Sequence, residues 1–353
     1  MDPQPWESLV GFIPETAGRE RLLAKLSIDR KVKGTVDLVL AGDGQQELAI
    51  EVKVGHRFSA DQQDRYERST DGRLILAGLR ADRTLVRSAE RWEYRNLGDV
   101  FQAWVDSPSE EAATLAKAAA KVMHEWDAAI DAVFGPREEG KPLISIGQKF
   151  LAVVIARRVA AELEQRGLIA WAGVTSGSGG LAIVQAWARI QDDSDRRFIA
   201  EVRWHEGMQA GELRLGVDYF LPESRDARAE AWNMAKALDD AIRIDVLHTH
   251  LVGKHPQLGD LLLRIGPGRR PANDGAWEPV VERGFKSTSN PGGVMGGRLQ
   301  NNPGFAGDGT QRFEAVSKLD YSRATATDLI ELLEASLEFL KSRIAGDGES
   351  ARS

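Results

Sequence analysis

Cysteine is absent from the 353-residue chain. That excludes disulfides, zinc sites built on thiolates and thiol nucleophiles. Long apolar runs are missing as well: no stretch approaches the ~20 consecutive residues that span a bilayer. The opening Met-Asp-Pro-Gln-Pro-Trp-Glu lacks a basic region followed by an apolar core, so no secretory signal is read there and cytoplasmic residence is the expectation. An excess of positive charge is also lacking. The formal net charge of −7 argues against a strong non-specific grip on nucleic acid, although local charge and a bound metal decide phosphate recognition. Neither internal repeats nor a spaced Ser-His-Asp pattern is found.

What is present describes a globular protein. Hydrophobic residues make up 42% and charged residues 28%, and the length accommodates two domains of ordinary size. The stretch from Gly34 to Tyr66 carries the most chemistry. It holds two apolar runs, Thr35 to Leu40 and Leu48 to Val54, separated by Gly42-Asp43-Gly44, and this pattern predicts a β-hairpin. The period-two rule puts Ile50, Val52 and Val54 on one face of the second strand and Glu51 with Lys53 on the other. Asp37 lies between Val36 and Leu38 in the first run. Ionisable groups in the middle of apolar strands are costly unless they are paired or bind a metal. Two carboxylates from adjacent strands suit one hard cation, which takes oxygen ligands, and a lysine beside them can orient a water or offset charge on a phosphate. Without a cation the two acids repel, so Glu51→Gln is expected to leave the melting temperature of the metal-free protein unchanged or higher.

Asp37, Glu51 and Lys53, with thirteen residues between the acids, resemble the motif of the PD-(D/E)XK nuclease superfamily. Val36 replaces the proline before the first acid, a departure that many members share. Gln62-Gln63-Asp64-Arg65-Tyr66 is similar to the glutamine-bearing helix that follows the lysine in several branches. The resemblance covers about the first hundred residues. It implies an α/β fold with a mixed sheet: a restriction-endonuclease-like αβββαβ core, followed by a C-terminal α+β domain. It further implies hydrolysis of DNA with Mg²⁺, or Mn²⁺ in its place. Asp37, Glu51 and the Val52 carbonyl would hold the ion, Lys53 would position the nucleophile, and Gln62 and Tyr66 would border the site. The first helix often adds an acid in this superfamily; Glu7 and Glu20 are the candidates, with Glu7 preferred. The branch with the Gln…Tyr helix suggests restriction of foreign DNA. The alternative is a non-catalytic nucleic-acid-binding or assembly protein that keeps the fold as a scaffold.

Helices are read at Trp6–Pro14 and Glu15–Leu26, and an opening strand at Ser27–Val32. Ser59 to Gln62 fits a capping box, so the Gln62 amide has a structural reading beside its functional one. Arg73–Ala77 reads as a strand. Arg80, Arg83, Arg87, Arg91 and Arg95 recur at helical intervals, either as a basic face for phosphates or as a solvated face. Residues 107–134 read as a helix with Leu115, Val122, Trp126, Ile130 and Val133 as its stripe. Phe134–Pro142 is the best linker, giving domains at 1–135 and 141–353.

The second unit reads as a helix from Gly147 to Arg166 and strands at Leu168–Val174, Leu181–Arg189, Arg197–Trp204 and Glu212–Phe220. Alternation along the third strand implies a sheet with one wet face. A helix from Arg225 to Ile242 is expected over the other face. The glycines from Gly177 to Gly180 read as a hairpin turn, since no phosphate-loop helix and lysine follow. His248 and His250, with His255 nearby, read as a strand pair that either binds a transition metal or lines a polar face. The Gly/Asn-rich loop at 284–309 either orders on DNA or a partner or is plain disorder. The closing helix, Thr325–Ile344, packs into a core by default, with a homodimer contact as the alternative.

Overall fold

The computed structural model describes residues 37–41, 47–55, 58–69, 72–86, 88–190, 196–205, 209–220, 224–268, 277–284, 286, 290–294, 304–305 and 311–350. Glu7, Glu20, the first two expected helices, the opening strand and most of the 284–309 loop lie outside them. The chain forms two compact units. One runs to Ala132 and takes in Val153–Arg158; the other holds Val133–Ala152 and everything from Val159 onward.

The first unit is built on a four-stranded mixed sheet in the order β1-β2-β3-β4. β1 (Leu38–Ala41) pairs antiparallel with β2 (Glu47–Lys53), as the hairpin reading expects. Helix α1 (Ala60–Ser69) follows β2. β3 (Arg73–Gly78) and β4 (Trp92–Asn96) then add in parallel. Each face carries its own apolar cluster. Ala49, Leu74, Leu76 and Trp92 pack with Phe58 and with Tyr66 of α1. Leu48, Ile50, Ile75 and Ala77 pack on the reverse with Leu97, Phe101 and Met123. Leu97 and Phe101 belong to α2 (Leu97–Gln102), and Met123 to α3 (Glu110–Val133).

Two readings of this unit need correction. The arginine series is not one helical face: Arg80 and Arg83 lie on a short 3-10 turn and Arg95 on β4. Arg80 pairs with Asp131 at 2.8 Å and Arg95 with Glu93 at 3.1 Å. On α3 the buried stripe is Ala116, Ala120, Ile130 and Val133, whereas Leu115 is 64% exposed. Side-chain size misled the sequence reading here, because the alanines form the face of closest approach.

The second unit contains a six-stranded sheet in the order β5-β6-β7-β8-β10-β9. The strands are β5 (Trp171–Ser176), β6 (Ala182–Arg189), β7 (Arg196–Trp204), β8 (Ala210–Tyr219), β9 (Gly304–Phe305) and β10 (Gln311–Asp320). All their pairings are antiparallel. The unit's helices are the two ends of α4 (Lys149–Glu164), whose middle, Val153–Arg158, is counted with the first unit, and α5 (Arg225–Ala237), α6 (Ile244–Lys254), α7 (Pro256–Gly259), α8 (Trp277–Arg283) and α9 (Ala326–Ser350). The apolar sheet face is packed mainly by α9, while α5 lies against α8 and reaches one end of that face, where Met234 meets Tyr219 and Arg196. Leu329, Leu333 and Leu337 of α9 are fully buried.

The other sheet face was expected to be wet, and it is polar, with its central carboxylates buried while Trp171, Arg189 and Lys318 are exposed. Glu201 and Asp218 are 0% and 1% exposed. Arg312 on β10 grips Asp218 with two hydrogen bonds of 2.6 and 2.8 Å and reaches Glu201 at 2.7 Å. Glu201 also pairs with Arg203 and accepts from Gln185 at 2.6 Å. Arg214 joins Glu314 at 2.5 Å. Burial alone disfavours every one of these charges, yet Arg312 and Arg203 together hold the Glu201 carboxyl below its ordinary value.

Candidate active site

β2 carries Glu51 and Lys53 on the face that α1 covers, and the parallel register sets Glu51 beside Leu76 and Lys53 beside Gly78. Glu51 is 2% exposed. Lys53 forms an ion pair with Glu51 Oε1, and its ammonium stands 5.7 Å from the Phe58 ring centroid. Leu38 faces Ile50 across the hairpin, so Asp37, one residue ahead of β1, falls opposite Glu51. Asp37 is exposed, and its Oδ2 accepts the Val52 main-chain N–H at 2.8 Å.

Helix α1 closes the site. The Ser59 hydroxyl accepts the Gln62 N–H at 3.2 Å, which is one half of the expected capping box. The Gln62 side chain takes no share in the other half. Its amide donates to Glu51 Oε1 and to the Tyr66 hydroxyl, both at 2.9 Å. Tyr66, one turn further on the same helical face, donates to Glu51 Oε2 at 3.2 Å. Three donors from two elements therefore hold one buried carboxylate. Glu51, Lys53, Gln62 and Tyr66 meet here, and Asp37 flanks them through the Val52 main chain. Glu7 lies outside the described residues.

Sequence reasoning missed the aromatic support. Phe58 meets Trp92 edge-on at 4.8 Å, and Tyr66 lies 6.1 Å from Trp92. The Trp92 indole N–H donates to Glu67 at 2.9 Å. These rings fix α1 over the sheet. Alternating Trp92 and Tyr94 in a short polar run was the signal for β4, and the arginine periodicity obscured it.

Burial raises the Tyr66 phenol from 10.0 to about 12; the Gln62 amide opposes the shift, and the nearby Glu51 charge adds to it. The proton is thus held more tightly in the folded chain than in the unfolded one. That contribution to stability is complete below pH 10.0 and is lost as pH rises towards about 12. In urea titrations across that window the wild-type midpoint should fall faster than that of Tyr66→Phe. Parallel slopes would separate Tyr66 from the alkaline limb.

Among the described residues no group of three or more His, Cys, Asp and Glu is gathered to hold a metal. The histidine pair lies on helix α6, not on a strand, and the ring of His250 sits 5.3 Å from that of Phe339. Burial, together with the Lys254 and Arg343 charges, keeps the His250 imidazole pKa low. At the hairpin the donors suit a hard cation by type: one carboxylate on β2 and one just ahead of β1, both oxygen ligands, beside a main chain that can add a carbonyl. Mg²⁺ commonly uses only one or two carboxylates and completes its shell with waters and phosphates. No family model, no curated protein and no solved structure matches the chain.

Proposed function

We propose that the chain is a metal-dependent nuclease that hydrolyses DNA phosphodiester bonds, with a role in defence against foreign DNA. The observation that carries the reading is the convergence of Gln62 and Tyr66 of α1 on Glu51, paired to Lys53 on the same strand, with Asp37 opposite on the neighbouring chain segment. This is the constellation that the resemblance to PD-(D/E)XK nucleases implies. Asp37, Glu51 and the Val52 carbonyl would hold Mg²⁺ or Mn²⁺. Such an ion, when bound, acidifies a water and offsets phosphate charge.

The remaining chemistry belongs to the chain. Gln62 and Tyr66 fix the Glu51 carboxylate in one orientation, so no reorganisation is needed when substrate arrives. Tyr66 stays protonated at working pH and serves as a donor rather than a base. Lys53 steers the attacking water and lowers the energy of the extra negative charge on the phosphorane-like transition state. The phenyl ring of Phe58 shields Lys53 on one side and keeps its ammonium partly dehydrated.

A second reading is a scaffold that keeps this architecture without catalysis. It is favoured by the closed set of donors around Glu51, which satisfies the carboxylate without a cation. Cleavage of supercoiled plasmid in Mg²⁺, Mn²⁺ or EDTA separates the two. The nuclease nicks or linearises with either ion and not in EDTA, and Asp37→Asn removes the activity. No cleavage of plasmid, single-stranded DNA or RNA with either ion would leave the scaffold reading.

A further inference from the structure

We propose that the polar face of the six-stranded sheet in the second unit binds single-stranded nucleic acid, with Trp171 as the platform for an unpaired base. The inference concerns binding alone and stands independently of the hydrolytic reading of the first unit.

Trp171 is a large apolar side chain, yet it is 48% exposed. It is also held firmly. One side of its ring rests on Trp187, its partner across β5 and β6, with centroids 4.2 Å apart and planes 30° apart. The ring lies across Gly173, where an added Cβ would come within 2.7 Å of it. Any other residue at 173 would therefore lift the indole off the strand. Trp187 in turn donates its N–H at 2.9 Å to Asp218, the carboxylate that Arg312 clamps. An exposed aromatic ring flattened on a rigid base offers one open π-face, and a nucleobase has a π-face to match.

The charges on this face are partly layered. Glu201, Asp218 and Glu314 are 0%, 1% and 4% exposed and lie beneath, while the Glu212 side chain, 15% exposed, comes up beside Arg214 and His205. The cations reach outward: Arg189 and Lys318 are exposed, and the Arg203 and Arg214 side chains are 31% and 19% exposed. The register sets all of them on the Trp171 side of the sheet. In a chain of net charge −7 this is a local surface suited to phosphates.

Beside the β5–β6 turn the cations border a cleft of about 530 Å³, lined among others by Lys149, Arg203, His205 and Arg214, with Glu212 pairing to the last two. Gly177 and Gly179 at its lip present main chain without side chains. Arg203 lies opposite Ile183, four residues along β6 from Trp187. At ~3.4 Å per strand residue the ring pair and the cleft are about 14 Å apart. A ligand that uses both is therefore a polymer with bases and phosphates. A duplex keeps its bases stacked inside and cannot offer one to Trp171. An acidic peptide would meet the cations but leave the indole unused.

The test is fluorescence anisotropy of the full-length chain in EDTA, with a labelled single-stranded DNA oligonucleotide. The same strand as a duplex, as an abasic backbone and as RNA provides the other arms. Single strands should bind more tightly than the duplex or the abasic strand, and the DNA and RNA arms identify which sugar is preferred. Trp171→Ala should weaken binding by about tenfold or more, the scale of stacking on a single base, whereas Trp171→Phe should retain most of it. Lys149→Ala and Arg189→Ala, both at exposed positions, should each flatten the dependence of log K on log salt by about 0.7 for every phosphate left without its cation. Equal binding of the abasic strand, tighter binding of the duplex, or a folded Trp171→Ala that binds like wild type would overturn the proposal. A chain that binds strands in EDTA but cleaves nothing in Mg²⁺ would defeat the nuclease reading and leave this one standing. A chain that cleaves while Trp171→Ala binds normally would do the reverse.

Discussion

Arg312→Leu should destabilise the second unit by about 3–5 kcal/mol, the scale expected when one partner of a buried ion cluster is removed. Arg312 is 5% exposed and bridges Asp218 and Glu201, which are themselves almost wholly buried. Its removal leaves two carboxylates facing leucine. Net stabilities of about 5–15 kcal/mol make that a large fraction of the whole. Arg312→Lys should recover little of the loss, because an ammonium is a single point charge and cannot hold one carboxylate with two parallel bonds while reaching a second.

The pH dependence gives an independent check on the same cluster. The Glu201 carboxyl is held below 4.5 in the folded chain, so its contribution is present above that pH and is lost as pH falls through the lowered value. In Arg312→Leu much of that contribution is already gone, so the gap between wild type and variant should narrow in acid. Urea unfolding followed by tryptophan fluorescence, at neutral pH and near pH 4, measures both effects. A loss under about 1 kcal/mol at neutral pH would mean that Arg203 and Gln185 suffice to hold Glu201.

The site residues and the cluster differ in how far the sequence reveals them. Asp37, Glu51, Lys53, Gln62 and Tyr66 lie within one stretch whose strand and helix periods are clean, so local rules place Glu51 and Lys53 on a strand and Gln62 and Tyr66 on the helix after it, while Asp37, read inside the first strand, stands one residue ahead of β1. Even the ambiguity at Gln62 was visible: the capping pattern is real, and only the tertiary position of Glu51 decides where the amide points. The cluster joins Gln185, Glu201, Asp218 and Arg312, which stand on four strands and up to 127 residues apart, counted from 185 to 312. No local period encodes such a meeting. Alternation along β7 revealed two faces but not that the central charges of the polar one would be buried. β10 went unread although Phe313, Ala315, Ser317 and Leu319 alternate with Arg312, Glu314, Val316 and Lys318, because glycine and asparagine dominate the segment before it. The histidine pair shows the opposite failure: alternation over three residues imitates a strand, while the eleven-residue α6 around it is helical.

Glu51→Gln and Lys53→Ala should each reduce Mg²⁺-dependent DNA cleavage by at least about a hundredfold, the effect expected when one preorganised group is lost from a transition-state site. Their thermal behaviour should differ, and it departs from what the sequence alone suggests. Repulsion between Asp37 and Glu51 was expected to make Glu51→Gln neutral or stabilising without metal. The structure surrounds Glu51 with the ammonium of Lys53 and the donors of Gln62 and Tyr66, so the carboxylate is compensated. A glutamine there strands the Lys53 charge and turns an N–H₂ towards existing donors. The metal-free variant should therefore lose about 1–3 kcal/mol. Its melting temperature should fall in EDTA, and Mg²⁺ should no longer raise it, because a ligand stabilises only the state that binds it. Lys53→Ala should also melt lower in EDTA, since Glu51 keeps two donors but no cation. Mg²⁺ should then stabilise Lys53→Ala at least as much as wild type, because the ion meets an uncompensated pair of carboxylates. Thermal melts with and without Mg²⁺, run beside the plasmid assay, separate the two residues: Glu51 acts through the ion, Lys53 through the reacting phosphate. A folded Glu51→Gln that cleaves at the wild-type rate would make Glu51 a structural residue, and the nuclease assignment would fall with it.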